Sequence, residues 1–292
     1  MGKLNITFLG TGTTIPTVQR RHSSIHLDFK LKNSYSLLFD CGEGTQTRLQ
    51  QAGINFMSID YIFITHWHAD HFIGLFGLLT SMGFEGRKRE LKIFGPRAME
   101  IGPELLKFFR LPFKVRFVDC REGKILENEE FFVEATKVKH TIECFGYALQ
   151  EKERIKLDKK KIKKFKLNWK ECREIKEKGK IEKNGKIIRL DQVSYKVEGK
   201  RVVYAVDTKY LKKMEKFAKN SVLIHDCTYF DKKDLENKYH STIEEVVKLR
   251  KFAKKVYLTH ISRKYPNQKE LEKKVKRYKN VVVAKDLMRV RV

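Results

Sequence analysis

The chain has 292 residues, 41% of them hydrophobic, with 63 Lys and Arg against 36 Asp and Glu for a formal net charge of +27. Such a length and apolar content can bury a sizeable core in one large domain or two small ones, which excludes global disorder. The uncharged stretch from Phe72 to Phe84 is too short and too rich in Gly to span a bilayer, which takes ~20 apolar residues, so an integral membrane protein is excluded and the charge excess calls for a polyanionic partner.

In chain order, the first residues run straight into a strand-like pattern without the apolar stretch and cleavage site of a secretory signal, which predicts a cytoplasmic protein. Strand-like runs punctuated by Gly follow at Leu4 to Leu9, Tyr35 to Phe39, Tyr61 to Ile64, Leu91 to Phe94, Val115 to Val118 and Phe131 to Val138. Between them, Thr45 to Gln51 reads as a helix stopped at Gly53, and Pro103 reads as the opening of a helix over Glu104 to Phe109. A later set alternates strand and helix: Arg201 to Val206, Lys209 to Lys219, Val222 to Ile224, Thr242 to Ala253, Lys255 to Leu258, Lys269 to Lys279 and Val281 to Ala284. Interleaving of this kind predicts a layered α/β fold.

Composition shifts between the two sets. From Lys152 to Lys186 there are 16 basic and 6 acidic residues, and apolar residues thin to what a small satellite element needs. Residues 151–200 are therefore expected to form a basic insertion projecting from a single domain that spans 1–292. A purely solvated Lys-rich face, as in heat-adapted proteins, would raise Glu alongside Lys, and here it does not rise.

The five cysteines are scattered and form no Cys-x-x-Cys pair, so neither a disulfide framework nor a thiolate metal site is predicted. The histidines are more informative. After Tyr61 to Ile64 comes Thr65-His66-Trp67-His68-Ala69-Asp70-His71, four potential ligands in six residues on a strand-to-helix loop. Imidazole and carboxylate ligands suit Zn²⁺, and such a loop can wrap two ions from one side while distant residues close the other. His140, Asp207 and His260 each follow a strand-like run and are placed to converge on the same rim.

These residues resemble the metallo-β-lactamase superfamily, and within it the tRNase Z family of tRNA 3′-processing endoribonucleases. The resemblance rests on Leu9-Gly10-Thr11-Gly12, Phe39-Asp40-Cys41-Gly42-Glu43-Gly44-Thr45-Gln46, the His string, His225-Asp226-Cys227-Thr228 and His240-Ser241-Thr242. It implies a four-layer αββα sandwich with a basic inserted arm. It further implies that His66, His68 and His140 hold one zinc, Asp70, His71 and His260 a second, and that Asp207 bridges them. His240 becomes the proton donor with Asp226, where relatives carry Glu, as its carboxylate partner; Asp70 orients or deprotonates the nucleophile.

The same resemblance implies precursor tRNA as partner, no membrane partner, and a homodimer whose arm serves the other subunit. Residues 151–200 fall where the family carries its tRNA-gripping arm, which makes Lys159, Lys160, Lys161, Lys163 and Lys164 candidate tRNA contacts. Pro16 to Arg21 occupies the place of the family's Pro-x-Lys-x-Arg-Asn string, with Val18 at the Lys position and Arg20 as the one charged match, a candidate for reading the tRNA 3′ end. Two alternatives remain open at this point: a hydrolase of small thioesters or lactones on the same scaffold, and a non-catalytic RNA-binding module.

Overall fold

A computed structural model describes residues 3–235 and 239–292. Its elements, in chain order, are strands β1 (Lys3–Gly10), β2 (Ser24–Lys30) and β3 (Ser34–Phe39), helix α1 (Thr45–Gln51), β4 (Tyr61–Phe63), α2 (Ala69–Phe72), α3 (Leu75–Phe84), β5 (Leu91–Gly95), α4 (Ala98–Leu106), β6 (Val115–Asp119), β7 (Gly123–Glu127), β8 (Phe131–Val138) and β9 (Cys144–Glu151). There follow β10 (Arg154–Leu157), α5 (Lys159–Lys164), α6 (Trp169–Lys178), β11 (Lys180–Lys183), β12 (Lys186–Arg189), α7 (Leu190–Val193) and β13 (Ser194–Val197). The chain continues as β14 (Arg201–Ala205), α8 (Lys213–Phe217), β15 (Val222–Asp226), α9 (Ile243–Leu249), β16 (Lys255–Thr259), α10 (Gln268–Val275), β17 (Val281–Val283) and β18 (Arg289–Arg291). Two compact units result: one from the chain up to Gln150 and again from Arg201 onward, the other Glu151–Lys200.

The larger unit is built on two seven-stranded sheets, ordered β18-β1-β2-β3-β4-β5-β6 and β17-β16-β15-β14-β9-β8-β7. Each has an antiparallel part and a parallel part: β3 through β6 run parallel in the first, β14 through β17 in the second. Strand alternation sorts the side chains into layers. Leu4, Ile6, Phe8, Leu37, Phe39 and Phe63 of the first sheet face Phe145, Tyr147, Val202, Tyr204, Ile224 and Tyr257 of the second in one buried core. The opposite faces are covered by helices: Leu38, Ile62 and Ile93 pack with Leu49, Leu78 and Met82 of α1 and α3. Likewise Val203, Leu223 and Leu258 pack with Met214, Val246, Leu249 and Leu271 of α8, α9 and α10. This is the expected αββα sandwich.

Several expected boundaries shift. Pro103 does not open a helix but lies inside α4, which begins five residues earlier behind Arg97 in a left-handed conformation. The helix expected over Lys209 to Lys219 is confined to Lys213–Phe217, because Thr208 is committed to the loop, its N–H donating to Asp226 and its carbonyl accepting from Ser241. Strands β2 and β9 were not anticipated. His26 and Asp28 interrupt the apolar run of β2, and Gly146 sits mid-strand in β9, where a Cβ would lie 3.2 Å from that of Ala205.

The smaller unit holds two hairpin-like pairs, β10 with β13 and β11 with β12, and a core of its own in Leu167, Ile175, Ile181, Ile188 and Val193.

Candidate metal centre

The expected ligands lie at or just beyond the carboxyl ends of strands, with Asp40 and Asp226 beside them: Asp40 after β3, Thr65 to His71 after β4, His140 after β8, Asp207 after β14, Asp226 closing β15 and His260 after β16. This is where open α/β sheets bind ligands. Asp40, Asp207 and His260 hold φ of 55°, 50° and 55°, left-handed backbone that packing must enforce and that clusters at functional sites.

The His string is pinned from several sides. Thr65 donates its N–H and its hydroxyl to Asp40 Oδ1, at 2.8 and 3.0 Å. The carbonyl of Thr65 accepts from Phe145 N at 3.0 Å, the indole of Trp67 donates to the Pro96 carbonyl, and the His71 carbonyl accepts from Cys41 N at 2.7 Å. Gly42 and Gly74 allow the approach of these loops, since a Cβ on Gly42 would overlap the Asp70 carbonyl and one on Gly74 the Gly42 carbonyl.

Two ligand groups result, sharing Asp207: His66, His68, His140 with Asp207, and Asp70, His71, His260 with Asp207. In the first, His68 Nδ1 lies 3.0 Å from His66 Nε2 and 3.1 Å from His140 Nε2, and both of those nitrogens lie 3.5 Å from Asp207 Oδ2. In the second, His71 Nε2 is 3.3 Å from Asp70 Oδ2 and 3.4 Å from Asp207 Oδ1, while His260 Nε2 is 2.7 Å from Asp207 Oδ1 and 3.9 Å from Asp70 Oδ2. A tetrahedral ion with bonds of about 2.0–2.1 Å holds its ligand atoms about 3.3–3.4 Å apart. Both groups bracket that spacing. Moreover His71 Nε2, His260 Nε2 and Asp207 Oδ1 are buried and close together, yet none makes a hydrogen bond. Their lone pairs aim at a shared centre rather than at one another, which fits a divalent cation there and would be costly without one.

Charge states differ between the two groups: against the pull of burial, the Asp207 and Asp40 carboxylates raise the His71 imidazole well above its ordinary pKa, and Asp207 raises that of His260 to about 10. Burial pushes the His66 imidazole below its ordinary pKa and that of His140 to about 3, leaving both as the neutral form that binds metal. Burial also opposes ionisation of Asp207, but His260 and His71 hold its carboxyl well below the usual range.

Beside the second group stands a hydrogen-bonded pair. His240 Nδ1 lies 2.9 Å from Asp226 Oδ2, so the shorter Asp in place of Glu does reach the imidazole. Asp226 is fully buried and accepts from Thr208 N, Thr228 N and the Thr228 hydroxyl at 2.9 to 3.1 Å. Burial pulls the His240 imidazole down, but the charge and hydrogen bond of Asp226 outweigh it and its pKa rises above the ordinary value. The ring stacks on that of His260, centroids 5.4 Å apart, and Nε2 remains as the atom a substrate can meet. Behind it, Glu245 at the start of α9 accepts from Thr242 N and its hydroxyl, fixing the His240-Ser241-Thr242 segment.

All seven expected ligands and the His240–Asp226 pair are thus brought together. Arg20 is a correction: only 6% exposed, its guanidinium donates to the Thr11 hydroxyl, the Ala284 carbonyl and Gln268, so it fastens the N-terminal loop internally and presents nothing to a bound strand. Lys159, Lys160, Lys161, Lys163 and Lys164 form α5 of the smaller unit. Four supporting residues were not foreseen: Asp40 behind His71 at 2.8 Å, Tyr204 donating to Asp40 at 2.8 Å, Thr228 behind His260 at 3.0 Å, and Thr14 donating to Asp70 at 3.1 Å. Asp40 and Thr228 lie within runs that the family resemblance had already marked; Tyr204 and Thr14 do not.

Comparison with known proteins identifies the frame. A protein named Ribonuclease Z from Methanosarcina acetivorans is 35% identical to this chain, over 99% of the chain and 98% of that protein. The chain belongs to the ribonuclease Z (tRNase Z) family. Human tRNase Z, short form, superposes with a TM-score of 0.67 at 25% identity, covering 98% of both chains. The metallo-β-lactamase fold protein YhfI of Bacillus subtilis superposes at 0.70 and 18% identity, covering 99% of this chain and 100% of its own, which carries the fold alone. A family model described as Anti-Pycsar protein Apyc1 matches residues 4–102, which include the His string but stop short of His140, Asp207, Asp226, His240 and His260. The Methanosarcina acetivorans Ribonuclease Z, by contrast, matches over 99% of the chain.

Proposed function

We propose that this chain is a metal-dependent endoribonuclease that hydrolyses the phosphodiester at the 3′ end of precursor tRNA and releases the 3′ trailer. The observation that carries this reading is the His240–Asp226 pair set against the rim of the ligand cluster, in a chain related over its full length to Ribonuclease Z. We assign two Zn²⁺ per chain: His66, His68 and His140 hold one, Asp70, His71 and His260 the other, and Asp207 bridges. Bound there, the ions acidify water and neutralise charge on the scissile phosphodiester.

The protein's own groups do the rest. Asp70 orients the attacking water. The bond from phosphorus to the 3′ oxygen of the tRNA breaks, and that alkoxide is a poor leaving group unless protonated as it departs. His240 gives it the proton from Nε2, and Asp226 stabilises the imidazolium beforehand. The tRNA keeps a 3′-hydroxyl and the trailer a 5′-phosphate.

Residues 151–200 act as the tRNA-gripping arm in this reading, and the protein works in the cytoplasm as a homodimer. Among the described residues no helix is long and apolar enough to cross a membrane. A thioester or lactone hydrolase has no use for a net charge of +27, and a departing thiolate needs no leaving-group acid of this kind.

The test uses precursor tRNA, a nitrophenyl phosphodiester and a thioester side by side, with and without chelator. His240→Ala should slow tRNA cleavage ~10²-fold or more and the nitrophenyl ester far less, because its leaving group needs little protonation. Equal losses on both phosphodiesters would remove His240 from the role. Turnover of the thioester alone would overturn the ribonuclease reading.

A further inference from the structure

The Glu151–Lys200 unit distributes its charge unevenly. In α6 and the adjoining hairpin half of the basic residues are paired: Arg173 with Glu177 at 2.9 Å, Lys178 with Glu174 at 2.8 Å, Lys183 with Glu171 at 2.8 Å and Arg189 with Asp191 at 3.9 Å. From Lys159 to Lys170 there are seven lysines and no carboxylate. Among the described residues none of the seven forms an ion pair.

At the end of that stretch stands Trp169, 71% exposed. The unit's core is made without it, from Leu167, Ile175, Ile181, Ile188 and Val193. Leaving an indole in water forgoes the burial that usually makes Trp worth placing in a fold. Nor is its backbone loose. Trp169 is the first residue of α6, and Asn168 caps that helix by accepting from Glu171 N at 3.0 Å while Glu171 accepts from Asn168 N at 2.7 Å. Lys170 Nζ lies 5.9 Å from the ring, at the edge of cation–π range, so its hold on the indole is slight.

An exposed aromatic ring on a well-capped helix start, among uncompensated lysines, matches a partner that offers flat apolar faces and dense negative charge together. Duplex nucleic acid shows the charge but hides the base faces in its stack. Unpaired nucleotides show both, and stacking on an aromatic ring tolerates any base. We propose that Trp169 is a stacking platform for an unpaired nucleobase of RNA, held in place by lysine contacts to the neighbouring phosphates. This deepens, and rests on, the reading of the chain as a tRNA-processing ribonuclease.

The two contributions separate by salt. Each phosphate neutralised by lysine releases counterions and steepens the fall of affinity with salt, whereas stacking does not. The experiment measures the Kd of the full-length protein for a trailer-free tRNA transcript from low to moderate salt. Trp169→Ala should weaken binding roughly 10-fold at every salt concentration with the slope unchanged. Trp169→Phe should recover most of the affinity. Replacing Lys163 and Lys164 together by Gln should instead flatten the slope by about 2. Tryptophan emission gives an independent readout, because the only other tryptophan, Trp67, lies in the larger unit: tRNA should quench wild-type emission and quench Trp169→Phe much less.

A Trp169→Ala protein that binds tRNA like wild type, or one whose slope falls as in the lysine variant, would overturn the platform while leaving the ribonuclease reading intact. Wild-type protein that neither binds tRNA nor cuts its precursor would overturn that reading itself. Emission that ignores tRNA but shifts to the blue on vesicles of anionic lipid would assign Trp169 to a membrane surface and end the proposal.

Discussion

The two halves of the metal centre share Asp207 but are supported in different ways. Behind the second half, each ligand is tied by a side chain: His71 to the Asp40 carboxylate, His260 to the Thr228 hydroxyl and Asp70 to the Thr14 hydroxyl. Behind the first half, His66 Nδ1 meets the Thr65 hydroxyl at 3.0 Å and the Cys144 thiol at 3.8 Å, His140 Nδ1 is buried without a partner, and among the described residues no carboxylate backs any of its three imidazoles. His68 and His140 are also less completely buried as residues than Asp70, His71 and His260, although the His140 side chain itself is only 5% exposed. A carboxylate behind an imidazole fixes its tautomer and raises its basicity toward metal. If two ions bind as proposed, the second half would be the pre-organised, tighter seat and the first the seat from which an ion exchanges. Graded chelation should remove about one ion per chain well before the other.

The largest effect should come from erasing the difference altogether. Asp207→Ala takes a ligand from both halves, and metal content should fall from about two per chain to below one, as read by elemental analysis after gel filtration. Retention of two ions would mean that Asp207 is not the bridge. Next in size, Asp40→Asn should strike one half only. Asn keeps the shape and tolerates the left-handed φ, but it no longer offers His71 a carboxylate. Loss of such a partner typically weakens metal binding 10- to 100-fold. In competition with a chromogenic chelator, the tight step should move toward the weak one while the weak one stays put. Movement of the weak step instead would invert the assignment of the two halves.

That asymmetry shows what the sequence could and could not disclose. Four ligands within Thr65 to His71 are legible because spacing along the chain alone makes them a cluster, and His140, Asp207 and His260 because each follows an apolar strand-like run. The His240–Asp226 pair needed the family resemblance, since 13 residues separate them and only tertiary structure sets them 2.9 Å apart. Support was far less visible. Tyr204 looks like one more alternating apolar residue of β14, and nothing in its neighbours announces that its hydroxyl crosses from one sheet to a carboxylate of the other. Arg20 misled for the converse reason: a basic residue in a motif reads as substrate-facing, while burial among Thr11, Gln268 and Ala284 is a property of the folded loop. In the fold, the layering of strands and helices followed from their alternation and the αββα sandwich from the family resemblance, whereas β2 and β9 were hidden by polar residues and by a mid-strand Gly.

A smaller effect is expected from Tyr204→Phe. The ring stays packed near Phe39, centroids 5.8 Å apart, so little is lost but the hydroxyl. Burial and the nearby Asp40 charge raise the Tyr204 pKa well above its ordinary value, so it serves as a protonated donor across the pH range of the enzyme. Removing one donor to a buried carboxylate costs about 1.5–3 kcal/mol of stability, measurable by urea denaturation. Asp40 retains Thr65 and His71, so the tight metal step should weaken less than in Asp40→Asn. A loss of metal affinity equal to that of Asp40→Asn would shift the positioning role from the carboxylate to the tyrosine.

Thr14→Val should give the smallest change, and its size tests whether burial decides how much a supporting bond matters. The Thr14 hydroxyl donates to Asp70 Oδ2 at 3.1 Å, but Thr14 is exposed, so water can replace the donor when it is removed. Asp40 and Tyr204 have no such substitute because both are buried. A hydrogen bond that exchanges with water contributes about 0.5–1.5 kcal/mol, which corresponds to a few-fold change in affinity for the tighter ion. Val preserves the branched shape, and the loop itself is held through Thr11, Arg20 and Asp286 rather than through the Thr14 side chain. Thermal stability should therefore stay near wild type while the tight metal step shifts slightly. If Thr14→Val instead weakened that step as far as Asp40→Asn does, water would not be replacing the hydroxyl, and the contrast between the two halves would rest on the shape of the N-terminal loop rather than on buried carboxylate support.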